Sequence, residues 1–270
     1  MDEYVTKHHL MKTVLGIDAA WTSREPSGVA LVINDVEGWW LLKVTSSYQA
    51  FLSEQPASTA RHRGSPPDPH ALLAKSFSIA QIPVTIVAID MPLSTGPIVG
   101  RRASDNMISS VYGARHAGTH TPSALRPGKL SDELSAGFKQ GGYPLLTSEV
   151  RVPGLIEVYP HPALIELSAA TRRLPYKHSK SRKYWPDDAP MGRRLKLFAT
   201  WEQIVLLLED KVKGVAAALP LTDLGARAYE LKAFEDALDA VVCAWVGACV
   251  IDGLARSYGD DSSAIWVPNI

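Results

Sequence analysis

An α/β fold built on a mixed sheet is predicted by three observations. The first is a cluster of short strand candidates near the N-terminus, at residues 13–18, "SGVALVI" (27–33) and "WWLLKVTSS" (39–47), whose tight links suggest an antiparallel meander. The second is "VTIVAID" (84–90), a near-continuous apolar run of the kind that forms a strand buried on both faces. The third is the alternation of later strand and helix patterns, which gives the sheet helices to pack against.

The elements follow in order. Residues 54–70, rich in Pro, Ser and Arg, read as a loop, and "PHALLAKSFSIAQI" (69–82) as a helix with Leu72, Leu73, Phe77 and Ile79 on its inner side. Residues 97–154 read as an insertion over the sheet edge, with helices near 103–112 and 130–140 around a polar loop. "LIEVYPHP" (155–162) gives a short strand containing Glu157, and "ALIELSAA" a helix after it. A basic loop over 172–190 precedes two long helical patterns at 191–213 and 226–256, and "AIWVP" closes the chain as an edge strand. No internal repeat is visible, and one domain spanning residues 1–270 is the economical expectation.

The 270 residues, 46% apolar and 21% charged, are ordinary for a globular protein. Because 28 basic residues offset 28 acidic ones, the molecule has no bulk attraction to nucleic acid or anionic membrane, and any polyanion contact must be local. Cys243 and Cys249 lie six apart in one predicted helix, on opposite sides, and read as small buried hydrophobes. No apolar run reaches the roughly 20 residues that span a bilayer, and "MDEYVTKHHLMK" has no apolar core, so a cytoplasmic protein without membrane partners is expected.

The chemistry is expected at carboxylates. Asp18 and Asp90 each close an apolar strand at its C-terminal end, where an isolated charge needs a cation, donors or water. If the two strands are parallel neighbours, both acids emerge at the rim where ligands of open α/β sheets gather. In "FEDALDAVVCAWVGA", Asp236 and Asp239 stand three apart and can share a face of a helix. Acids also favour a helix N-terminus, but the apolar run after Asp239 buries this helix, so an inward carboxylate needs a partner. Together the acids make an oxygen-rich set suited to Mg²⁺ or Mn²⁺, ions that activate water and stabilise a leaving oxygen in phosphodiester hydrolysis.

Taken together, "GIDAAW", "SGVALV", "AIDMPLS", "EVYPHPALIEL", "PYKHSKSRK" and "DALDAVVCAW" resemble the domain-of-unknown-function family 429, predicted RNase H-like nucleases. The resemblance runs from about residue 13 to the terminal "IWVP". It implies an RNase H-like fold, in which a three-stranded antiparallel meander is followed by alternating helices and strands. It also implies a strand-end acid at Asp18, another at Asp90, and the acid of the last core helix at Asp239 or Asp236. "DALDAVVCA" is similar to the closing helix of Holliday-junction resolvases. RNase H proper carries a Glu on its first core helix, and the helix at 69–82 has no acid on its inner side. Either Glu157 supplies that charge or the site holds one metal; pairing of Glu157 with an arginine is the alternative.

Candidate phosphate contacts come from Arg101 and Arg102 in "GRR", from Arg115 with His116 and His120, and from Lys177, His178 and Lys180. The last three lie in "RRLPYKHSKSRK" (172–183), which holds six Lys/Arg interleaved with Tyr176 and followed by Tyr184, a composition that suits phosphates and unpaired bases. His161, between two prolines, reads equally as a proton-transfer group or as part of a helix start. The leading expectation is a metal-dependent nuclease-like phosphodiesterase with nucleic acid as partner. An ATP-dependent phosphotransferase of the sugar-kinase or actin-like type is the alternative, since "GID" and "PLSTG" partly suit it, as is a non-catalytic nucleic-acid-binding protein of the same fold.

Overall fold

The computed structural model describes residues 11–54, 61 and 63–270. The N-terminal residues read for a targeting segment, and part of the 54–70 loop, lie outside them. The meander is β1 (Lys12–Asp18), β2 (Gly28–Asp35) and β3 (Gly38–Thr45). Helices α1 (Tyr48–Leu52) and α2 (Pro69–Ala80) lead to β4 (Ile86–Ile89). Then come α3 (Ala103–Tyr112), α4 (Lys129–Gln140), β5 (Gly154–Val158) and α5 (Pro160–Ser168). A 3₁₀ turn at His178–Lys180 precedes α6 (Ser181–Tyr184) and α7 (Pro190–Glu209). The chain ends with β6 (Val212–Lys213), α8 (Val215–Ala218), α9 (Ala228–Ile251), β7 (Ala255–Gly259) and β8 (Ala264–Pro268).

The eight strands form one mixed sheet in the order β6-β3-β2-β1-β4-β5-β8-β7. Within it β1 and β2, β2 and β3, and β7 and β8 pair antiparallel, while β1-β4, β4-β5, β5-β8 and β3-β6 are parallel. The α/β class and the meander followed by parallel strands are therefore as expected. Alternation along each strand feeds two cores. Val14, Ala30, Ile86, Ala88, Ile156 and Val158 face α9, α7 and α5, whereas Leu15, Ile17, Leu31, Val87, Ile89 and Leu155 face α1, α2 and α4.

Several sequence expectations are corrected. "AIWVP" is no edge strand: β8 is wholly buried between β5 and β7, because the last helix, read as running to 256, ends at Ile251, and after Gly253 (φ +72°) residues 255–259 form β7 at the edge. On α2, Leu72, Leu73 and Ile79 pack on the core as expected, but the fourth inward position is Ser76, whose hydroxyl donates back to the Leu72 carbonyl, and Phe77 is half exposed. Residues 97–154 are more than a cover for the edge. Helix α3 does pack on β7 and β8, but α4 sends Leu134 and Phe138 into the core beneath β1 and β4. Cys243 and Cys249 are both buried and free. Among the described residues no helix is long and apolar enough to cross a membrane.

Helix α9 positions the acids, and small residues seat it. A Cβ on Gly28 would lie 1.9 Å from the Asp236 carbonyl oxygen, one on Gly16 would lie 2.3 Å from that of Ala240, and one on Gly247 would meet the side chains of Val14 and Ala88. The helix therefore runs antiparallel to β1 with its N-terminal half above the strand's C-terminal end. Gly16→Ala is expected to cost about 3 kcal/mol or more, since the obstructing atoms are backbone and only a shift of the helix relieves them. Urea denaturation of the variant checks this.

Candidate active site

Parity explains which acids meet. Asp18 follows Val14 and Gly16 on the face of β1 beneath α9, and Asp90 follows Ile86 and Ala88 on the same face of the neighbouring strand. The Asp90 amide donates to the Ile17 carbonyl at 2.8 Å, so the two acids leave the sheet side by side. Asp18 pairs in register with Gly28, and Gly28 touches Asp236, which places Asp236 over Asp18. Asp239, one helical turn on, is fully buried beside them.

The two helix acids are partnered. The Asp239 carboxylate accepts from the Tyr176 hydroxyl at 2.8 Å and from the Lys177 ammonium, which also lies 3.4 Å from Glu235. Asp236 accepts from Lys232, one turn before it, through Oδ1; its Oδ2 is buried without a hydrogen-bond partner among the described residues. Asp18 and Asp90 have no ion pair among the described residues, and the consequence is electrostatic. Burial and the charge of Asp239 raise the Asp18 carboxyl from its ordinary 3.8 to about 6, although Lys177 and Lys232 pull against them. Burial together with Asp18 and Asp239 holds the Asp90 carboxyl well above its usual range, and burial with Asp18 does the same to Asp236. Burial opposes the charge of Lys177, but Asp239, Tyr176 and Glu235 outweigh it and raise its pKa.

Glu157 does not join this group. It sits opposite Ile89 on β5 and so faces the other side of the sheet, where Arg102 clamps both its oxygens at 2.5 and 2.7 Å and the Leu93 amide donates to it at 2.8 Å. Arg102 is held in turn by Asp105, which also accepts from its amide at the start of α3. The arginine pairing weighed from sequence is thus the one the structure shows.

The remaining candidates divide. Arg101 spends its donors on Asn106, Thr121, Ser109 and the Asp105 carbonyl, and Arg115 on Glu166 and the Ala170 carbonyl, so with Arg102 these three are tied into the scaffold rather than aimed at the acids. Lys177 reaches the acids directly. The backbone amide of His178 donates to Glu235 at 2.7 Å, anchoring the basic segment to α9. The His161 ring is buried in the first turn of α5, edge-on to Tyr159 and Tyr176 with centroids 5.3 Å away in each case. Burial and then Arg173, Lys177 and Lys180 depress its pKa well below 6.5, so it is neutral at pH 7. Sequence reasoning overlooked Lys232, although its i,i+4 spacing to Asp236 marks it. It read Tyr176 as a face for unpaired bases, and only the fold turns that hydroxyl to Asp239. The "PLSTG" turn is fastened to the β7–β8 hairpin, since Thr95 N–H and the Ser94 hydroxyl both donate to the Ser262 carbonyl.

The donor set decides what the rim can hold. Among the described residues no three His, Cys, Asp or Glu side chains form a ready-made metal cage. A hard divalent ion at a phosphoryl-transfer site needs only one or two carboxylates, with water and substrate oxygens filling its shell. Asp18 and Asp90 meet that requirement, since they are adjacent, oxygen-only and free of any direct ion pair among the described residues.

The fold and rim define an α/β protein of the carboxylate-edged, mixed-sheet class. Residues 143–264 match the family described as "Protein of unknown function (DUF429)", the family that the sequence motifs resemble. The matched segment carries His161, Tyr176, Lys177, Asp236 and Asp239, while Asp18 and Asp90 lie before it. No curated protein and no solved structure matches the chain.

Proposed function

We propose that this protein is a divalent-metal-dependent phosphodiesterase of nuclease type, with Asp18 and Asp90 as the metal ligands. The observation that carries this reading is the pair of strand-end carboxylates that form no ion pair among the described residues, set beside helix acids that each have a lysine. A bound Mg²⁺ or Mn²⁺ would supply the Lewis acid that activates water against a phosphodiester. The chain's own groups do the rest. Asp236 and Asp239 add negative charge that favours a cation at the rim, and Lys177 and Lys232 hold those two carboxylates in place.

Basic groups flank the rim on both sides. Toward β3, a cleft of about 1090 Å³ is lined by Arg24, Arg61, Arg63 and Lys232, which outnumber Glu25 and Glu230 there, with Tyr229 and Phe234 as its apolar wall. Toward β5 lie Arg173, Lys177 and Lys180. Lys232 and Lys177 tie these two basic flanks to the α9 acids, so a polyanion held by both would run past those acids, which favours a nucleic acid over a small phosphoester.

Calorimetric titration with Mn²⁺ tests the metal site. The intact protein is expected to bind, and Asp18→Asn and Asp90→Asn to weaken binding at least about tenfold each. Unaltered affinity in both variants would overturn the assignment.

A further inference from the structure

The flank of the rim beneath α5 contains an unusual concentration of unsatisfied donors. Arg173 Nε and Nη2, the Tyr184 hydroxyl and His161 Nδ1 are buried without a well-formed hydrogen bond among the described residues, and Arg173 and Tyr184 lie within reach of each other. Buried polar groups of this kind are costly if left unpaired, so three in one place imply a missing acceptor. They come from three separate segments: α5, the loop before Tyr176, and α6.

The groups converge on the guanidinium. Arg173 is the foremost charge acting on His161, on Tyr184, on Tyr159 and on Lys180. Its backbone is fixed by donation from its amide to the Arg115 carbonyl at 2.8 Å. The carboxylates are one ring away, because the His161 ring packs on Tyr176 and the Tyr176 hydroxyl binds Asp239. No acidic side chain forms an ion pair with Arg173 or Lys180 among the described residues. The fixed cation, the nearby ammonium, the phenol and the neutral imidazole together suit a compact oxyanion with several acceptor oxygens.

We infer that Arg173, Tyr184, His161 and Lys180 form a binding pocket for one phosphoryl group, next to the carboxylate rim and independent of any metal. It rests on the phosphodiesterase reading only for the carrier of that phosphoryl group, which is then a nucleic-acid strand. Guanidinium donors suit phosphate oxygens better than a single carboxylate does, because they present a planar fork to paired acceptors.

The test uses the full chain in EDTA, which separates this pocket from the metal site. Inorganic phosphate is titrated calorimetrically, and single-stranded oligonucleotides with a 5′-phosphate or a 5′-hydroxyl are titrated by fluorescence anisotropy. Arg173→Gln is expected to weaken phosphate binding at least tenfold and Tyr184→Phe about threefold, while Arg101→Gln changes neither. A preference for the 5′-phosphorylated strand that disappears in Arg173→Gln assigns the pocket to a terminal phosphate. Equal binding of both strands, with both weakened in Arg173→Gln, assigns it to an internal phosphodiester. Equal binding of phosphate and of both strands by the wild type, Arg173→Gln and Tyr184→Phe would overturn the inference. Thermal melting controls for folding, and Tyr184→Phe carries the test if Arg173→Gln is unstable. Asp18→Asn is expected to keep phosphate binding, so loss of Mn²⁺ affinity without loss of phosphate affinity separates failure of one site from failure of the other.

Discussion

Asp90→Asn is expected to lower Mn²⁺-supported cleavage of oligonucleotides by about 10³-fold, the scale on which removal of a group aimed at developing charge reduces turnover. The same change is expected to make the protein more stable, because it removes an ion that repels its neighbours. Asp18→Asn should behave likewise, and here the size follows from the carboxyl's rise from 3.8 to about 6. That rise is worth about 2–3 kcal/mol against the ionised, metal-free fold. The folded chain holds the Asp18 proton more tightly than the unfolded chain does. The Asp18 contribution is therefore full below about pH 4 and is lost as the pH rises through about 6. Asp18→Asn should remove that share of the decline, leaving the shares of Asp90 and Asp236, and melt about 5 °C higher than wild type at pH 8. Millimolar Mn²⁺ should close the gap by raising the wild type alone. Thermal melts from pH 4 to 8, with and without Mn²⁺, check both statements, and a flat wild-type profile would show that the two acids are not in electrostatic conflict.

Arg102→Ala should have the largest effect on stability. It strands Glu157 and Asp105, whose side chains are 5% and 1% exposed and which pair with no other cation among the described residues. Breaking a buried pair from one side costs about 3–5 kcal/mol, and a fall of about 10 °C or more in melting temperature is expected. Glu157→Gln is much milder, because Arg102 keeps Asp105 and the Leu93 carbonyl, and a Gln oxygen still accepts from the Leu93 amide. Mn²⁺ affinity should be unchanged in Glu157→Gln. A large loss of affinity there would return Glu157 to the metal site.

The strand acids were legible because each ends an apolar run and is followed by residues that cannot prolong it. Two such ends in one chain are informative even before the pairing of β1 with β4 is known. Glu157 was not legible in the same way. Its neighbours are as apolar as those of Asp90, but it has the opposite parity in the register, and register is a property of the assembled sheet. The edge hairpin was hidden for a different reason. "ARSYG" has no apolar alternation, since β7 is only partly covered, and without β7 the terminal strand looks like an edge. Lys177 and Arg173 were visible as charge, but a basic run carries no sign of which members turn inward. That depends on Tyr176, which is fully buried and draws Lys177 toward Asp239.

The seating of α9 on β1 has a consequence for how this protein can vary. Gly16 and Gly28 let the helix backbone rest almost directly on the strand backbones, so the gap between the Asp18–Asp90 pair and the Asp236–Asp239 pair is set by main-chain thickness. A gap fixed in that way acts as a rigid spacer. Substitutions elsewhere in the two cores can change how firmly the layers adhere, while the separation of the four charges, and with it the size of ion the rim admits, stays the same.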